Sequence, residues 1–450
     1  MNHHRLQTST SQILKISFPI MLGSAAQNVL ALVDSTFLYH YDEASFAAMG
    51  FIGVFYLVIA AMGFSISRGG QIWIARKMGE GSVLEVGRLF QTVFVVEGLV
   101  ALLLFAIVKL FGPWIIGLFI DDPQLASLCN DYLQPRSYGI FFSYFGVALI
   151  ALYTGIARTT FILVSTVILF SVNTVLDYLF VFGVGGAPEL GIAGAGWAST
   201  FAEAAAFVSF IVYMIFDHKI KDFRITSILR FDPRMIWQIL STSNHLLWQT
   251  FFAMGSWVAF FGMVENMGQH ALAISNLARM IYLVLSIPCW GLASGTNTIV
   301  SHFVGSRKRM AVKPLVWKII WITLILTWIL AIPVVFFPKV TLYPILGKSD
   351  MSLLVQAQPT FYMLLAILSL FSIGGIYFNG LLGTGATGLG LRMQVVATIL
   401  YLIFIYVAIH FLQWPIYLVW SAELLYWGFL LGVSAYLLEK YRWTNYAPYQ

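Results

Sequence analysis

The sequence predicts an all-α polytopic membrane protein, with twelve transmembrane helices in two six-helix bundles related by a pseudo-twofold axis along the membrane normal. Three observations predict it. Of 450 residues, 60% are hydrophobic and only 10% charged, against about 25% charged in an ordinary soluble protein, so charge is too scarce to cover a soluble surface. Apolar stretches long enough to cross a bilayer in a helix, about 20 residues each, recur twelve times. Short glycine-containing patterns also repeat between the two halves at a nearly constant spacing.

The predicted spans are 13–39, 46–76, 88–111, 132–154, 160–184, 191–216, 235–264, 270–303, 314–337, 353–381, 390–412 and 415–438. Several exceed the minimum length, which permits tilt. An even number of spans puts both termini on one side, and Lys and Arg decide which side that is. With the termini inside, nineteen of the 25 basic residues fall on the inner side, four on the outer side, and two, Arg68 and Arg279, within spans. This asymmetry also accounts for the net charge of +6 without a nucleic-acid partner. The amino terminus, "MNHHRLQTSTSQ", lacks the basic region, apolar core and cleavage site of a secretory signal, so the first span is expected to serve as the insertion signal. Cys129 and Cys289 have no CxxC or Cys/His cluster around them, which indicates neither a disulfide framework nor a zinc site. There is no Walker lysine motif and no Ser/His/Asp set, so neither ATP drive, nor a cofactor, nor enzyme activity is expected.

The longest polar connection is "FDHKIKDFRITSILRFDPR", from Phe216 to Arg234. It divides the chain into an amino-terminal bundle (1–216), a cytoplasmic linker (217–234) and a carboxy-terminal bundle (235–450). The segment "GFSISRGGQIWIARKMGE" (63–80) aligns with "CWGLASGTNTIVSHFVGS" (289–306) at a shift of 226, matching Gly69 with Gly295 and Gly79 with Gly305. "YTGIART" (153–159) aligns with "FNGLLGT" (378–384) at a shift of 225, matching Gly155 with Gly380 and Thr159 with Thr384. Six helices per repeat make both halves enter the membrane the same way, with the substrate expected between them. Such an architecture suits alternating access by two bundles.

Within the spans lie Asp34, Glu97, Asp177, Glu203 and Glu423, with Glu265 at an outer end. Ionisable groups at membrane depth are functional candidates by default. Asp34 and Asp177 both sit roughly 8–11 Å below the outer boundary at 1.5 Å per residue. Asn173 precedes Asp177 by one turn and shares its face, as Gln27 shares that of Asp34 two turns away. Thr200 lies at comparable depth on the sixth helix. The predicted spans put no Lys or Arg of this half at that level. Burial penalises an unpaired carboxylate, and two close carboxyls titrate as a pair. Asp34, Asn173, Asp177 and Thr200 are therefore read as a coupling site for H⁺ or for Na⁺, a hard cation that oxygen ligands suit. A purely structural hydrogen-bond network is the blander reading.

Arg68 and Glu97 match in depth on consecutive helices, as do Arg279 and Glu423 on helices eight and twelve, and both sets are read as structural ion pairs. Glu203 faces no cation in the predicted spans and is a candidate for substrate binding or coupling, as is Gln27. His245 reads as a satisfied polar residue. Most aromatics should be packing or interfacial belts. Tyr138, Tyr144, Trp248 and Trp257 are candidates to line a cavity, where π faces attract flat organic cations.

Several stretches resemble the multidrug and toxic compound extrusion (MATE) transporters. "SFPIMLGSAAQNVLALVDSTFL" is similar to their first helix, with a Pro near its start and Val-Asp-Ser/Thr near its end. "SRGGQIWIARKMGEG" resembles the end of their second helix, and "YTGIARTT" the segment after the fourth. "VNTVLDYLFVFGVGGAPELGIAGAGWAST" resembles their helix-five to helix-six signature and is the most specific match. The resemblance covers essentially the whole chain. It implies a secondary antiporter that exports amphipathic, mostly cationic organic compounds in exchange for H⁺ or Na⁺. It also implies an amino-terminal cation site at the matching Asp34, Asn173, Asp177 and Thr200. Helices seven and ten lack the acids found there in some branches, and Asp34 falls opposite Phe260 under the repeat shift, so the pattern is closer to the DinF-like branch. The expected setting is the bacterial inner membrane, multi-pass, with cytoplasmic termini, lipid around a functional monomer, and small organic substrates. The alternative is a lipid-linked oligosaccharide flippase of the same superfamily, which fourteen spans and a cationic cavity would favour. A membrane-embedded transferase and a transporter-derived receptor are the remaining rivals.

Overall fold

Backbone in lipid must satisfy its own hydrogen bonds, and the apolar stretches of this chain do so as helices. The structure, a computed structural model, describes residues 9–225, 232–341 and 351–440, and within them the side chains of all but residues 24–29, 31, 32, 351 and 352. The helices of the first half are α1 (Thr10–Tyr41), α2 (Glu43–Glu80), α3 (Val83–Gly117), α4 (Pro123–Gly155), α5 (Thr160–Phe182) and α6 (Gly191–Phe216). Those of the second are α7 (Pro233–Glu265), α8 (Gln269–Leu285), α9 (Ile287–Gly305), α10 (Val312–Phe336), α11 (Met351–Gly383), α12 (Thr387–His410) and α13 (Ala422–Glu439). Among the described residues, ten helices are long and apolar enough to cross a membrane, and the bent pair α8–α9 makes eleven. They are preceded by α1, a helix of 32 residues.

Most helix ends lie where local chemistry puts them. Asp42 caps α2 by accepting the Ser45 backbone N–H at 2.9 Å, and Gly81 closes that helix with φ of 78°. Asp122 caps α4 by accepting the Gln124 N–H at 2.9 Å, with Pro123 in the first turn, where its missing N–H costs nothing. The single predicted span 270–303 is two helices bent by 45°. The bend falls at Ser286, and Pro288 in the first turn of α9 cannot donate back across it.

The chain forms two compact units, one of residues 22–247 and the other of residues 1–21 with 248–450. In the first unit, α4 packs against α2, α3 and α6, and α5 packs against α6. In the second, α11 packs against α9, α10 and α13, and α12 against α13. Two helices contribute to both units: α1 divides at Met21/Leu22 and α7 at Leu247/Trp248. The two division points are 226 residues apart, which is the repeat shift.

The same symmetry recurs in contact. A Cβ on Gly69 of α2 would lie 2.1 Å from Ser243 Oγ of α7, and one on Gly295 of α9 would lie 2.0 Å from Ser17 Oγ of α1. Gly69 and Gly295, like Ser17 and Ser243, are separated by 226 residues. Small residues of this kind let membrane helices approach closely.

Small residues also set up the candidate site in the 22–247 unit. A Cβ on Gly194 would meet the Phe180 carbonyl of α5 at 2.5 Å, and one on Gly196 the Tyr132 carbonyl of α4 at 2.7 Å. The "GIAGAG" start of α6 is thus a seam that draws α6 against α5 on one side and α4 on the other. Cys129 and Cys289 are both free and buried.

Candidate functional site

The first-half candidates converge. Asp34, Asn173 and Asp177 are buried, and so are Ser199 and Thr200. The Asn173 amide takes its orientation from its neighbours. Its nitrogen faces Asp34 Oδ1 and Asp177 Oδ2, each at 3.0 Å, and its oxygen faces Ser199 Oγ at 3.2 Å. Ser199 donates to Asp34 Oδ2 at 3.1 Å. The two carboxyls thus share one amide nitrogen as a neighbour. Asp177 Oδ1 is buried and has no hydrogen-bond partner among the described residues. One amide thus bridges two acids, from α1 and α5, with a hydroxyl of α6 closing the ring. Such a group can hold a proton between its carboxyls, or a small cation on its oxygens.

Thr200 does not join this ring. Its hydroxyl donates to the Pro135 carbonyl of α4 at 3.0 Å. Successive residues of a helix are turned by about 100°, so Ser199 faces α1 and α5 while Thr200 faces α4. The hydroxyl expected at Thr200 is supplied by Ser199. The side chain of Gln27 lies outside the described residues.

Glu203 has a cation. Arg136 Nη1 donates to Glu203 Oε2 at 2.6 Å and Nη2 to Oε1 at 2.7 Å, with both side chains largely buried. The guanidinium carbon lies 4.0 Å from the Tyr56 ring centroid. The expectation that no basic residue of this half reaches that depth is therefore corrected. The helix holding Arg136 begins at Pro123 rather than 132, so Arg136 is about 20 Å along it at 1.5 Å per residue and not at its mouth. The signal was in the sequence, because Asp122-Pro123 is an N-cap followed by an N1 proline. The Arg136 field reaches both Asp34 and Asp177, although its hydrogen bonds go to Glu203.

Other candidates are placed as follows. Glu97 Oε1 accepts the Ser67 hydroxyl at 2.6 Å, and Oε2 has no hydrogen-bond partner among the described residues; Arg68, the next residue after Ser67 on α2, is half-buried. Arg279 and Glu423 do not form the expected pair. Arg279 is exposed, with its guanidinium carbon 4.8 Å from the Phe261 ring centroid. Glu423 is buried and accepts from Tyr401 at 3.2 Å. The two match in depth but face different directions. Tyr144 is buried and donates to the Ile59 carbonyl at 2.6 Å. Tyr138 is exposed beneath Lys109 Nζ, 4.3 Å from its ring centroid, and stacks on Trp197. Trp248 is exposed beside Phe251 and Phe252. Trp257 packs against Tyr282 and Trp420, with centroids 5.4 and 6.4 Å away.

Comparison with known proteins fits this arrangement. The MatE family model matches the chain twice, at residues 19–179 and 246–407, once in each half. A probable multidrug resistance protein NorM from Bradyrhizobium diazoefficiens is 24% identical over 303 residues, which are 67% of this chain and 65% of that protein. A multidrug resistance protein MdtK from Cronobacter sakazakii is 27% identical over 188 residues, 42% of this chain and 41% of that protein. The matched stretches thus span a little under two-thirds of NorM and less than half of MdtK. Among solved structures, a multidrug resistance MATE family transporter of the MOP superfamily in its outward-facing conformation matches with a TM-score of 0.86 at 17% identity, over 97% of this chain and 96% of that one. A MATE structure in a bent conformation matches with a TM-score of 0.86 at 16% identity, over 96% of each chain. The fold is the twelve-helix, two-bundle membrane fold, and with two copies of the family model along its length the chain belongs to the MatE family of multi-pass membrane transporters.

Proposed function

We propose that the protein is a secondary antiporter that exports amphipathic, mostly cationic organic compounds, driven by a cation taken up at Asp34 and Asp177. The observation that carries this reading is the pair of buried carboxyls bridged by one Asn173 amide, with the nearby guanidinium engaged by Glu203. Anions buried this way are expensive unless a positive charge joins them. The ion proposed is H⁺, because two close buried carboxyls can share one proton and titrate as a pair.

In the proposed cycle, neutralising the pair removes the electrostatic reason for α1 to hold its position against α5 and α6. The helix then repacks near Pro19, whose ring interrupts the backbone hydrogen bonds, two residues before the division between the units at Met21/Leu22. The repeat halves 1–216 and 235–450, joined by the 217–234 linker, would be the units of alternating access. The proposed setting is the bacterial inner membrane, with both termini cytoplasmic and the monomer functional. The flippase reading gains nothing from the twelve spans.

The test is transport of a fluorescent organic cation into liposomes, under an imposed pH gradient and an imposed Na⁺ gradient separately. Proton-driven flux that disappears in Asp34→Asn is the expected result. Flux that follows only the Na⁺ gradient would overturn the choice of ion, and unchanged flux in a well-expressed Asp34→Asn protein would overturn the site.

A further inference from the structure

A second buried acid lies among the corresponding helices of the other half. The cluster in the first half draws on the first, fifth and sixth helices of its repeat: Asp34 of α1, Asn173 and Asp177 of α5, and Ser199 of α6. In the second half the corresponding helices are α7, α12 and α13. Phe260 of α7 stands 226 residues after Asp34. Its ring lies 6.3 Å from that of Tyr401 on α12 and 5.3 Å from that of Trp420, just before α13. Tyr401 in turn donates to Glu423 Oε1 of α13 at 3.2 Å. The second half has Phe260 where the first has Asp34, and carries an acid on its sixth helix.

Glu423 is 4% exposed. Among the described residues no Lys, Arg or His forms an ion pair with it. The titratable groups around it are Tyr401 of α12, Tyr282 of α8 and Tyr426 of α13. On the elements packed nearby, α11 has no charged residue from Leu353 to Gly383, α7 has none from Trp248 to Val264, and the Arg279 side chain of α8 is exposed over Phe261. The Tyr401 phenol, the neighbouring Trp257 and Trp427 indoles and a surround of rings (Phe260, Trp420, Tyr282) offer a proton a place on the carboxyl. They do not supply the several oxygen ligands that a hard metal cation takes.

A buried polar stripe leads to this acid. Gln394, Thr398 and Tyr401 share one face of α12 by their spacing, and all three are buried. Gln394 donates to the Tyr426 hydroxyl. Thr398 Oγ1, between Gln394 and Tyr401, is buried with no hydrogen-bond partner among the described residues. An orphaned hydroxyl in an apolar core is costly. Here it stands where a proton or a water would pass between the Gln394 end of the stripe and Tyr401.

We infer that Glu423 is a second proton-exchange site, carried by the second half and reached along Gln394, Thr398 and Tyr401. The carboxylate gains a proton from water on one side and returns it to water on the other, with no other bond changed. This rests on the transporter reading but not on the Asp34–Asp177 cluster. The test is pH-difference infrared spectroscopy of the full-length protein in lipid, between about pH 5 and about pH 9, the range in which buried carboxyls titrate. A protonated-carboxyl C=O band that titrates in the wild type should be lost in Glu423→Gln and kept in an Asp34→Asn/Asp177→Asn double variant. Tyr401→Phe, which keeps the acid and removes its donor, should shift the titration of that band. It serves as the readout if Glu423→Gln does not fold. A spectrum in which Glu423→Gln removes no titrating band, or in which Tyr401→Phe leaves the titration where it was, would overturn the inference. Failure of the Asp34 transport test would leave this result standing.

Discussion

Arg136 and Glu203 tie α4 to α6 through two parallel hydrogen bonds, at 2.6 and 2.7 Å, with the guanidinium laid on the Tyr56 ring. Bidentate geometry of this kind is the strong form of the ion pair. It also keeps the guanidinium directed at Glu203, so the neighbouring Asp34 and Asp177 feel its field without being bonded to it. Its hydrogen bonds leave the Asp34–Asp177 pair to Asn173 and Ser199.

Breaking that pair should cost far more than replacing it. Arg136→Gln or Glu203→Gln alone strands a buried charge and is expected to destabilise the protein by about 3–5 kcal/mol. Arg136→Met with Glu203→Leu should recover much of that loss. Thermal unfolding of the detergent-solubilised protein checks both, and a double variant as unstable as the singles would contradict the assignment.

Asp34→Asn and Asp177→Asn should each lower ion-driven transport by roughly ten-fold or more, as expected for an intramembrane acid that carries the coupling cation. Binding of the organic cation in the absence of a gradient should persist. The measurement is liposome flux alongside equilibrium binding, and equal losses in both would point to a structural role.

Ser199→Ala and Thr200→Ala separate two adjacent hydroxyls. Ser199→Ala should change the pH dependence of transport, because Ser199 donates to Asp34. Thr200→Ala should leave that dependence intact and cost about 0.5–1.5 kcal/mol, the worth of one hydrogen bond, here the one to Pro135. A reversed result would place Thr200 in the ring.

Gly139→Ala would put a methyl 2.5 Å from Arg136 Nη1, 2.9 Å from Glu203 Oε2 and 3.0 Å from Thr200 Oγ1. Overpacking of this kind costs about 1–3 kcal/mol. Gly146→Ala, on the same helix with nothing within 4 Å, is the matched control. Thermal shifts of the two variants should differ accordingly.

Depth along each helix was readable from the sequence, and direction around it was not. Rise per residue is nearly constant, so counting from span ends brought Asp34, Asn173 and Asp177 to one level, and the structure joins them. The face that each residue turns to its neighbours depends on how helices pack, which no single span encodes. That is why depth alone points to Thr200 where Ser199 makes the contact, and matches Arg279 with Glu423 although one is exposed and the other buried. Arg136 was misplaced for a different reason. Hydropathy starts the fourth span at 132 and leaves Arg136 at its mouth, although the capping chemistry at Asp122-Pro123 starts the helix earlier.

The crossing of α1 and α7 between units bears on how the polypeptide can be divided. A break between residues 217 and 232 would leave each fragment holding a helix whose opening turns are built into the other fragment's structure. Neither piece would have a complete interior by itself, so the two should accumulate only when made together in one cell. What reads in the alignment as two copies of one gene segment is, as a folded object, indivisible.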